Sequence, residues 1–249
     1  KEGFGEGVLG KVSEFLGTGR MKVLEEMRAD RGLVALVELE KVYGIGPKLA
    51  AKLVKDGIMD VEGLRVAVKE GRVSLTENQR LGLKYFDDLN RRIPRKEAEK
   101  MVEFLRKKLK GLEVLMMGGY RLGKRDGKDL DLVVVGDGLS GEELIGRLGG
   151  EVEAVLEVGK NMVMVLMRFP GYKGVVHVDF RVTSKKLRAF AELYFGSGEN
   201  FSRKIRQIAK DMGYTLNEYG LKKKNGKFVE GKFVDEKDIF KFLGVEYVK

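Results

Sequence analysis

Three aspartates and a pair of glycines are the residues of this chain best suited to chemistry. Asp129 and Asp131 stand two apart in Asp129-Leu130-Asp131-Leu132-Val133. Alternation along a strand puts both carboxylates on one face, close enough to hold a pair of divalent ions between them. Asp179, in Val178-Asp179-Phe180, is an acid flanked by apolar residues, and on a neighbouring strand it would complete such a site. Met117-Gly118-Gly119 precedes Asp129 by nine residues. A double glycine lets a triphosphate approach the backbone. A single strand aspartate is ordinarily an edge or turn residue, but three acids in this arrangement beside the glycines point to metal-assisted transfer at phosphorus.

A second constellation is Val42-Tyr43-Gly44-Ile45-Gly46-Pro47, leading into Lys48–Lys55, which reads as the hairpin of a helix-hairpin-helix. Gly44 and Gly46 let the backbone turn tightly around Ile45. Amides at the start of the following helix, around Lys48, can then face a DNA phosphate without reading a base. Backbone carbonyls of such a hairpin, here those of Glu40, Val42 and Ile45, can also hold a monovalent cation (Na+ or K+) that bridges to the phosphate. Gly3-Phe4-Gly5 is a weaker copy, because Glu6 puts negative charge where phosphate would approach.

Composition agrees with both readings. Of 249 residues, 48 are Lys or Arg and 38 Asp or Glu, a net charge of +10 that favours a polyanionic partner. The excess is present in both halves, 24 basic against 18 acidic residues up to position 110 and 24 against 20 beyond it, so it is not a detachable tail. The absence of cysteine and the single histidine exclude disulfides and thiolate metal sites, leaving carboxylates to bind a catalytic metal. No apolar run has the length of a membrane span and nothing resembles a signal peptide, so an intracellular protein without membrane contact is expected. The opening Lys1-Glu2-Gly3 lacks a methionine, which suggests further residues upstream.

The elements that must position these residues fall into two textures. Residues 1–110 read as helical, with Val8, Val12, Phe15 and Leu16, and Leu49, Leu53 and Val54, at helical spacing. Arg91-Arg92-Ile93-Pro94-Arg95-Lys96 opens an amphipathic helix that runs to about Lys110 and links the halves. From Val114, the β-branched runs Leu132–Val135, Met162–Met167 and Val175–Phe180 read as strands of one sheet, with Gly141–Leu148 a helix between the first two. Helix returns after Lys185. Asn225-Gly226 then marks a hairpin between Leu221 and Phe228-Val229, and Asp235–Leu243 a last helix. His177 is read as structural and on the face opposite Asp179, and the Met162–Met167 strand as sheet core.

The order of these motifs resembles the X family of DNA polymerases, the group of polymerases beta, lambda, mu and terminal transferase. Phe15-Leu16-Gly17-Thr18-Gly19 and Gly44-Ile45-Gly46-Pro47 resemble its two hairpin segments. Gly82-Leu83-Lys84-Tyr85-Phe86 and Arg92-Ile93-Pro94-Arg95 resemble its passage from fingers to palm. Tyr194-Phe195-Gly196-Ser197-Gly198 and Leu216-Asn217-Glu218-Tyr219 resemble its nucleotide-selecting thumb. The resemblance implies an α+β fold: a helical helix-hairpin-helix DNA-binding region, a nucleotidyltransferase palm with a mixed β-sheet, and a small α+β thumb. It divides the chain into a remnant of an N-terminal lyase-like domain (1–28), fingers (29–90), palm (91–184) and thumb (185–249).

It further implies that Asp129 and Asp131 bind two Mg2+ ions, for which Mn2+ can substitute, and that Asp179 binds one and accepts the proton of the primer 3′ hydroxyl. Arg181 would pair with the carboxylates when the site is open. Arg92, Gly118, Gly119, Arg121, Lys124 and Lys128 would serve the deoxynucleoside triphosphate, together with Tyr194, Phe195, Ser197 and Ser202 of the thumb. Arg206, Glu218 and Tyr219 would join Gly44, Ile45, Gly46 and Lys48 in contacting DNA. Lys11 aligns with a Schiff-base lysine of a lyase activity, although a solvated helix lysine explains it equally. Leu122 stands where the family usually has an arginine, Gly196-Ser197-Gly198 where it has Thr-Gly-Ser with a cis peptide bond, and Ser202 where asparagine is usual.

The expected function is template-directed filling of short gaps during repair, including base excision repair. The substrates would be gapped or nicked DNA and deoxynucleotides, used by a monomer that meets other repair proteins. The setting would be the nucleus or another DNA-containing compartment, or the cytoplasm of a prokaryotic or viral system. Two alternatives stand beside it: another nucleotidyltransferase, tailing RNA, which the hairpins oppose, or extending DNA without a template, which the short Glu157-Val158-Gly159-Lys160-Asn161 connection opposes; and a non-catalytic DNA-binding module, which the three intact aspartates oppose.

Overall fold

A computed structural model describes residues 5–247, so Gly3 and Phe4 of the weaker glycine motif lie outside the described residues. Residues up to Phe86 form one compact unit and those from Asp87 another.

The first unit is helical: α1 (Glu6–Thr18), α2 (Lys22–Ala29), α3 (Arg31–Leu39), α4 (Pro47–Lys55), α5 (Val61–Lys69) and α6 (Glu77–Lys84). Local chemistry sets their starts. Asp30 accepts from the Gly32 and Leu33 amides ahead of α3, Asp60 accepts from Gly63, and Thr76 and Gln79 form a reciprocal capping box on α6. Leu39, Val42, Ile45, Leu53 and Leu64 bury against one another as the core. α1 is helical as its spacing predicts but buries none of its side chains, and Val12, Phe15 and Leu16 are exposed.

A short helix α7 (Phe86–Asn90) leads to β1 (Ile93–Pro94), α8 (Arg95–Lys108), β2 (Glu113–Met116), α9 (Gly118–Arg121), β3 (Asp126–Gly127) and β4 (Asp129–Val135). Then follow α10 (Gly141–Leu148), β5 (Val152–Gly159), β6 (Met162–Met167) and β7 (Val176–Thr183). Five of the strands make one sheet in the order β2-β4-β7-β6-β5, parallel only between β4 and β7. The sheet's two faces divide the labour. Leu130, Leu132 and Val134 of β4 pack with Met101, Val102 and Leu105 of α8 and with Leu144 and Leu148 of α10. The intervening positions Asp129, Asp131, Val133 and Val135 face the other way, where Val133 and Val135 meet Met117, Ala191 and Phe195.

The chain ends in α11 (Arg188–Gly196), α12 (Glu199–Asp211), β8 (Tyr214–Asn217), β9 (Gly220–Lys223) and α13 (Glu236–Phe242), closed around Phe190, Leu193, Ile205, Leu216 and Phe240. The Met162–Met167 strand and Gly141–Leu148 helix have the boundaries the sequence predicts, and β4 takes in Asp129-Leu130-Asp131 together with the apolar run Leu132–Val135. The β8–β9 hairpin has no counterpart in the sequence reading, because its lysine-rich strand lacks apolar alternation. The Asn225-Gly226 turn forms just beyond it, closed by the Gly226 amide on the Lys223 carbonyl at 2.9 Å, with Lys222 bridging to Phe228. Among the described residues no peptide bond is cis, so the bond between Gly196 and Ser197 is trans.

Candidate active site

Parallel pairing of β4 with β7 sets Asp131 directly beside Asp179, and Asp129 beside His177. Residues two apart on a strand share a face, so His177, Asp179 and Arg181 point to the same side. This corrects the expectation that His177 faces away from Asp179: it lies among the carboxylates, and burial pulls its pKa below the usual histidine value. Burial together with the charges of Asp129 and Asp179 pushes Asp131 up to about 6, only partly offset by Arg181. Arg181 donates to Asp179 Oδ2 at 3.3 Å, whereas Asp179 Oδ1 is buried with no hydrogen-bond partner. In this conformation no three of the described acids and His177 converge closely enough to enclose an ion.

The double glycine serves the protein before any ligand. Gly118 has φ +55°, and a Cβ there would overlap the Asp131 carboxylate. At Gly119 a Cβ would stand 2.9 Å from Lys124 Cδ and 3.6 Å from its Nζ, so the lysine side chain lies over this backbone. Gly118, Asp131, Asp179, Arg181, Tyr194 and Phe195 line a cavity of about 240 Å³.

The expected phosphate-binding cations are placed differently from one another. Arg92 pairs with Asp126 through Nε at 2.8 Å and a second, shorter contact from the same guanidinium. That pairing raises the Arg92 pKa and lowers that of Asp126. Lys128 donates to Asn90 Oδ1 at 2.9 Å. Arg121, expected at the nucleotide, turns instead toward Glu236 at 2.5 Å and Glu192 at 3.8 Å, with Gly196 packed against its guanidinium. The cause is geometric. On the single turn of α9, Arg121 follows the buried Tyr120, whose hydroxyl donates to the Ile93 carbonyl at 2.7 Å and fixes the helix's rotation. Burial lifts the Tyr120 pKa to about 12.

On α11, Tyr194 and Phe195 meet edge to face at 5.0 Å, with Arg181 5.3 Å from the Phe195 ring and Arg206 5.7 Å from the Tyr194 ring. Ser202 shares a narrow cleft with Tyr194, Arg206 and Asn217. Ser197 lies away from the carboxylates, in a cavity with Arg121, Leu122 and Glu236. Glu218 and Tyr219, expected on DNA, form the β8–β9 turn and line a cavity of about 700 Å³ that also reaches Arg181 and Phe195. Sequence reasoning missed Asp126, Asn90, Glu192 and Glu236, the partners that aim these cations. Their contacts span 34, 38, 71 and 115 residues of chain, and no local pattern marks them.

In the helical unit, Gly44 has φ +82° and its carbonyl accepts from Gln79 Nε2 at 3.0 Å, which ties the hairpin to α6. Gly82 lies so close to the Tyr43 backbone that a Cβ would overlap it. Gly46 caps α4 with open space before it, and Lys48 is exposed in the first turn. Ile45 is buried, and its amide donates to the Val42 carbonyl at 3.0 Å, leaving that oxygen one lone pair. Glu40 caps the end of α3. Lys11 is exposed on α1 with nothing buried around it.

The sheet thus carries a carboxylate pair on one strand, a third acid on its parallel neighbour and a glycine turn packed against them. A family model for the fingers domain of DNA polymerase lambda matches residues 37–90, and one for the DNA polymerase beta thumb matches residues 191–249. DNA polymerase lambda of Arabidopsis thaliana is 27% identical over 277 residues, covering 99% of this chain and 51% of that protein. DNA polymerase lambda of Rattus norvegicus is 29% identical over 273 residues, covering 98% and 46%. The chain thus spans about half the length of the curated relatives it matches. With an α+β architecture and matches in the same order, the chain is similar to X-family DNA polymerases over almost its whole length.

Proposed function

We propose that this chain is the polymerase portion of a template-directed X-family DNA polymerase that fills short gaps during repair. The observation that carries the reading is the register of β4 on β7, which sets Asp131 beside Asp179 with Asp129 on the same face. The carboxylates fit a divalent ion such as Mg2+ or Mn2+, being hard oxygen donors with one buried oxygen lacking a partner and one acid whose pKa is raised by burial and then by its neighbours' charge. Asp129, Asp131 and Asp179 would hold it. When bound, such ions activate the attacking hydroxyl and neutralise the pyrophosphate leaving group.

Asp179 accepts the proton of the primer 3′ hydroxyl as that oxygen attacks the α-phosphorus, and Arg181 restrains the same carboxylate beforehand. Tyr194 and Phe195 pack against the incoming nucleotide. Lys124, lying over Gly119, supplies cationic contact to the triphosphate in place of the arginine missing at Leu122. The hairpin at Gly44–Lys48 binds the DNA backbone, and the carbonyls of Glu40, Val42 and Ile45 would hold a Na+ or K+ ion that bridges to a phosphate. Residues 29–90 act as fingers, 91–184 as palm and 185–249 as thumb, with residues 1–28 part of a lyase-like domain in which Lys11 is exposed on α1. The enzyme acts as a monomer wherever DNA is repaired, alongside other repair proteins. Among the described residues no helix is long and apolar enough to cross a membrane.

Primer extension tests this directly, comparing a one-nucleotide gap, an open template and a single strand, with deoxy- and ribonucleotides. Efficient deoxynucleotide addition on the gap, abolished in Asp179→Ala with DNA binding retained, is expected. Turnover of Asp179→Ala within a few fold of the parent, or preferred extension of RNA, would overturn the reading.

A further inference from the structure

The turn at Asn225-Gly226 is unused by the proposed reaction, yet its surroundings are the most concentrated positive charge in the second half of the chain. Residues 222–232 contain five lysines, Lys222, Lys223, Lys224, Lys227 and Lys232, against the single acid Glu230. Among the described residues none of these lysines forms an ion pair. The turn is held in shape by its own bonds: Gly226 amide to Lys223 carbonyl at 2.9 Å, Lys223 amide to Lys227 carbonyl at 2.8 Å, and Lys227 amide to Asn225 Oδ1 at 3.1 Å. Phe228 is 49% exposed, with Lys222 Nζ 4.9 Å from its ring centroid.

This turn is continuous with the site. Arg206 lies beside Tyr194, and Lys210 is one helical turn further along α12 on the solvent side. Gly213 follows the end of α12, and a Cβ there would stand 3.6 Å from Lys224 Cε. A row of cations therefore runs from the nucleotide-facing aromatic to the lysine turn. Along it, the seven residue steps from Arg206 to Gly213 rise roughly 10 Å at helical pitch, which with the side chains at either end is the reach of two or three nucleotides. Asp211 beside this row is hydrogen-bonded by Gln207.

Unpaired cations grouped around an exposed aromatic ring suit single-stranded nucleic acid, whose phosphates meet the lysines while a base stacks on the ring. We propose that Lys222–Lys227 with Phe228 is an accessory clamp for the single-stranded template ahead of the reacting position, which reaches it along Arg206 and Lys210. The clamp rests on the polymerase reading above but is separable from it by measurement.

The test uses the chain as it stands, a primer–template with the template 5′ overhang lengthened from one to ten nucleotides, and the triple variant Lys223→Glu, Lys224→Glu, Lys227→Glu. The parent should bind about tenfold more tightly once the overhang spans the row, and the variant should lose that gain. Its slope of log K against log salt should fall by about 2, at roughly 0.7 per lost contact to a single strand. Phe228→Ala should lose several-fold in affinity without changing the slope. Extension on the one-nucleotide overhang should be unchanged in all variants, and absence of extension in the parent would count against the polymerase reading, not the clamp. The clamp is overturned if the variant keeps the overhang gain, if it loses affinity equally at every overhang length, or if its only defect is in binding phosphatidylserine vesicles.

Discussion

Gly118 lies beneath Asp131 so closely that a Cβ at 118 would occupy the space of the carboxylate. The glycine turn and the aspartate strand are thus one unit, joined further by the Met117 amide, which donates to the Asp131 carbonyl at 2.8 Å. Gly118→Ala should displace the Asp131 side chain and lower kcat by at least ~100-fold, the cost typical of misplacing a reacting group by about 1 Å. DNA affinity should remain within a few fold. Single-turnover rates beside equilibrium binding check this, and near-parental turnover would show that the carboxylate has room to move.

Asp131 gives the pH dependence. Its folded pKa of about 6 lies above the ordinary 3.8, so the folded state favours the protonated acid. The sign follows: this contribution to stability is present below about pH 4 and is lost as pH rises to about 6, leaving metal-free protein strained at neutral pH. Asp131→Asn should stabilise metal-free protein at pH 7.5 by roughly 2 kcal/mol, discounted for partial exposure, and abolish activity. Thermal unfolding at pH 7.5 and pH 4 reads it. A gain in Tm equal at both pH values would mean that the charge is not the cause.

Lys124 and Leu122 divide the triphosphate question. Lys124→Ala should weaken nucleotide binding by about 10- to 100-fold, since a charge-assisted bond to an ion contributes roughly 1.5–3 kcal/mol. Leu122 is 53% exposed, so Leu122→Arg can be accommodated and should tighten binding. Nucleotide titration of both variants checks the pair. Unchanged Kd in Lys124→Ala would remove this lysine from the site.

Template dependence follows from the β5–β6 connection. β5 ends at Gly159 and β6 begins at Met162, so only Lys160 and Asn161 join them. A two-residue turn cannot reach a primer end and stand in for a template strand. Extension of a single-stranded primer should be at least ~100-fold slower than on a one-nucleotide gap at equal nucleotide concentration. Comparable rates would show that template strand replacement does not need a long loop here.

What the sequence determined by itself is whatever short-range periodicity encodes. Asp129 and Asp131 share a face because strands alternate, Gly44 announces a hairpin because few other residues adopt its positive φ, and Gly141–Leu148 forms the helix that its pattern predicts. The same alternation places His177 on the face of Asp179, so that placement too follows from spacing alone. Tertiary structure decided what the charged side chains touch. Arg92, Lys128 and Arg121 are aimed by Asp126, Asn90 and Glu236, brought to them from at least 34 residues away. The physical reason is that an arginine or lysine has several rotatable bonds and no preferred direction of its own. Its role depends on the carboxylate or carbonyl that packing brings within reach, and that choice is made by the sheet and helices together.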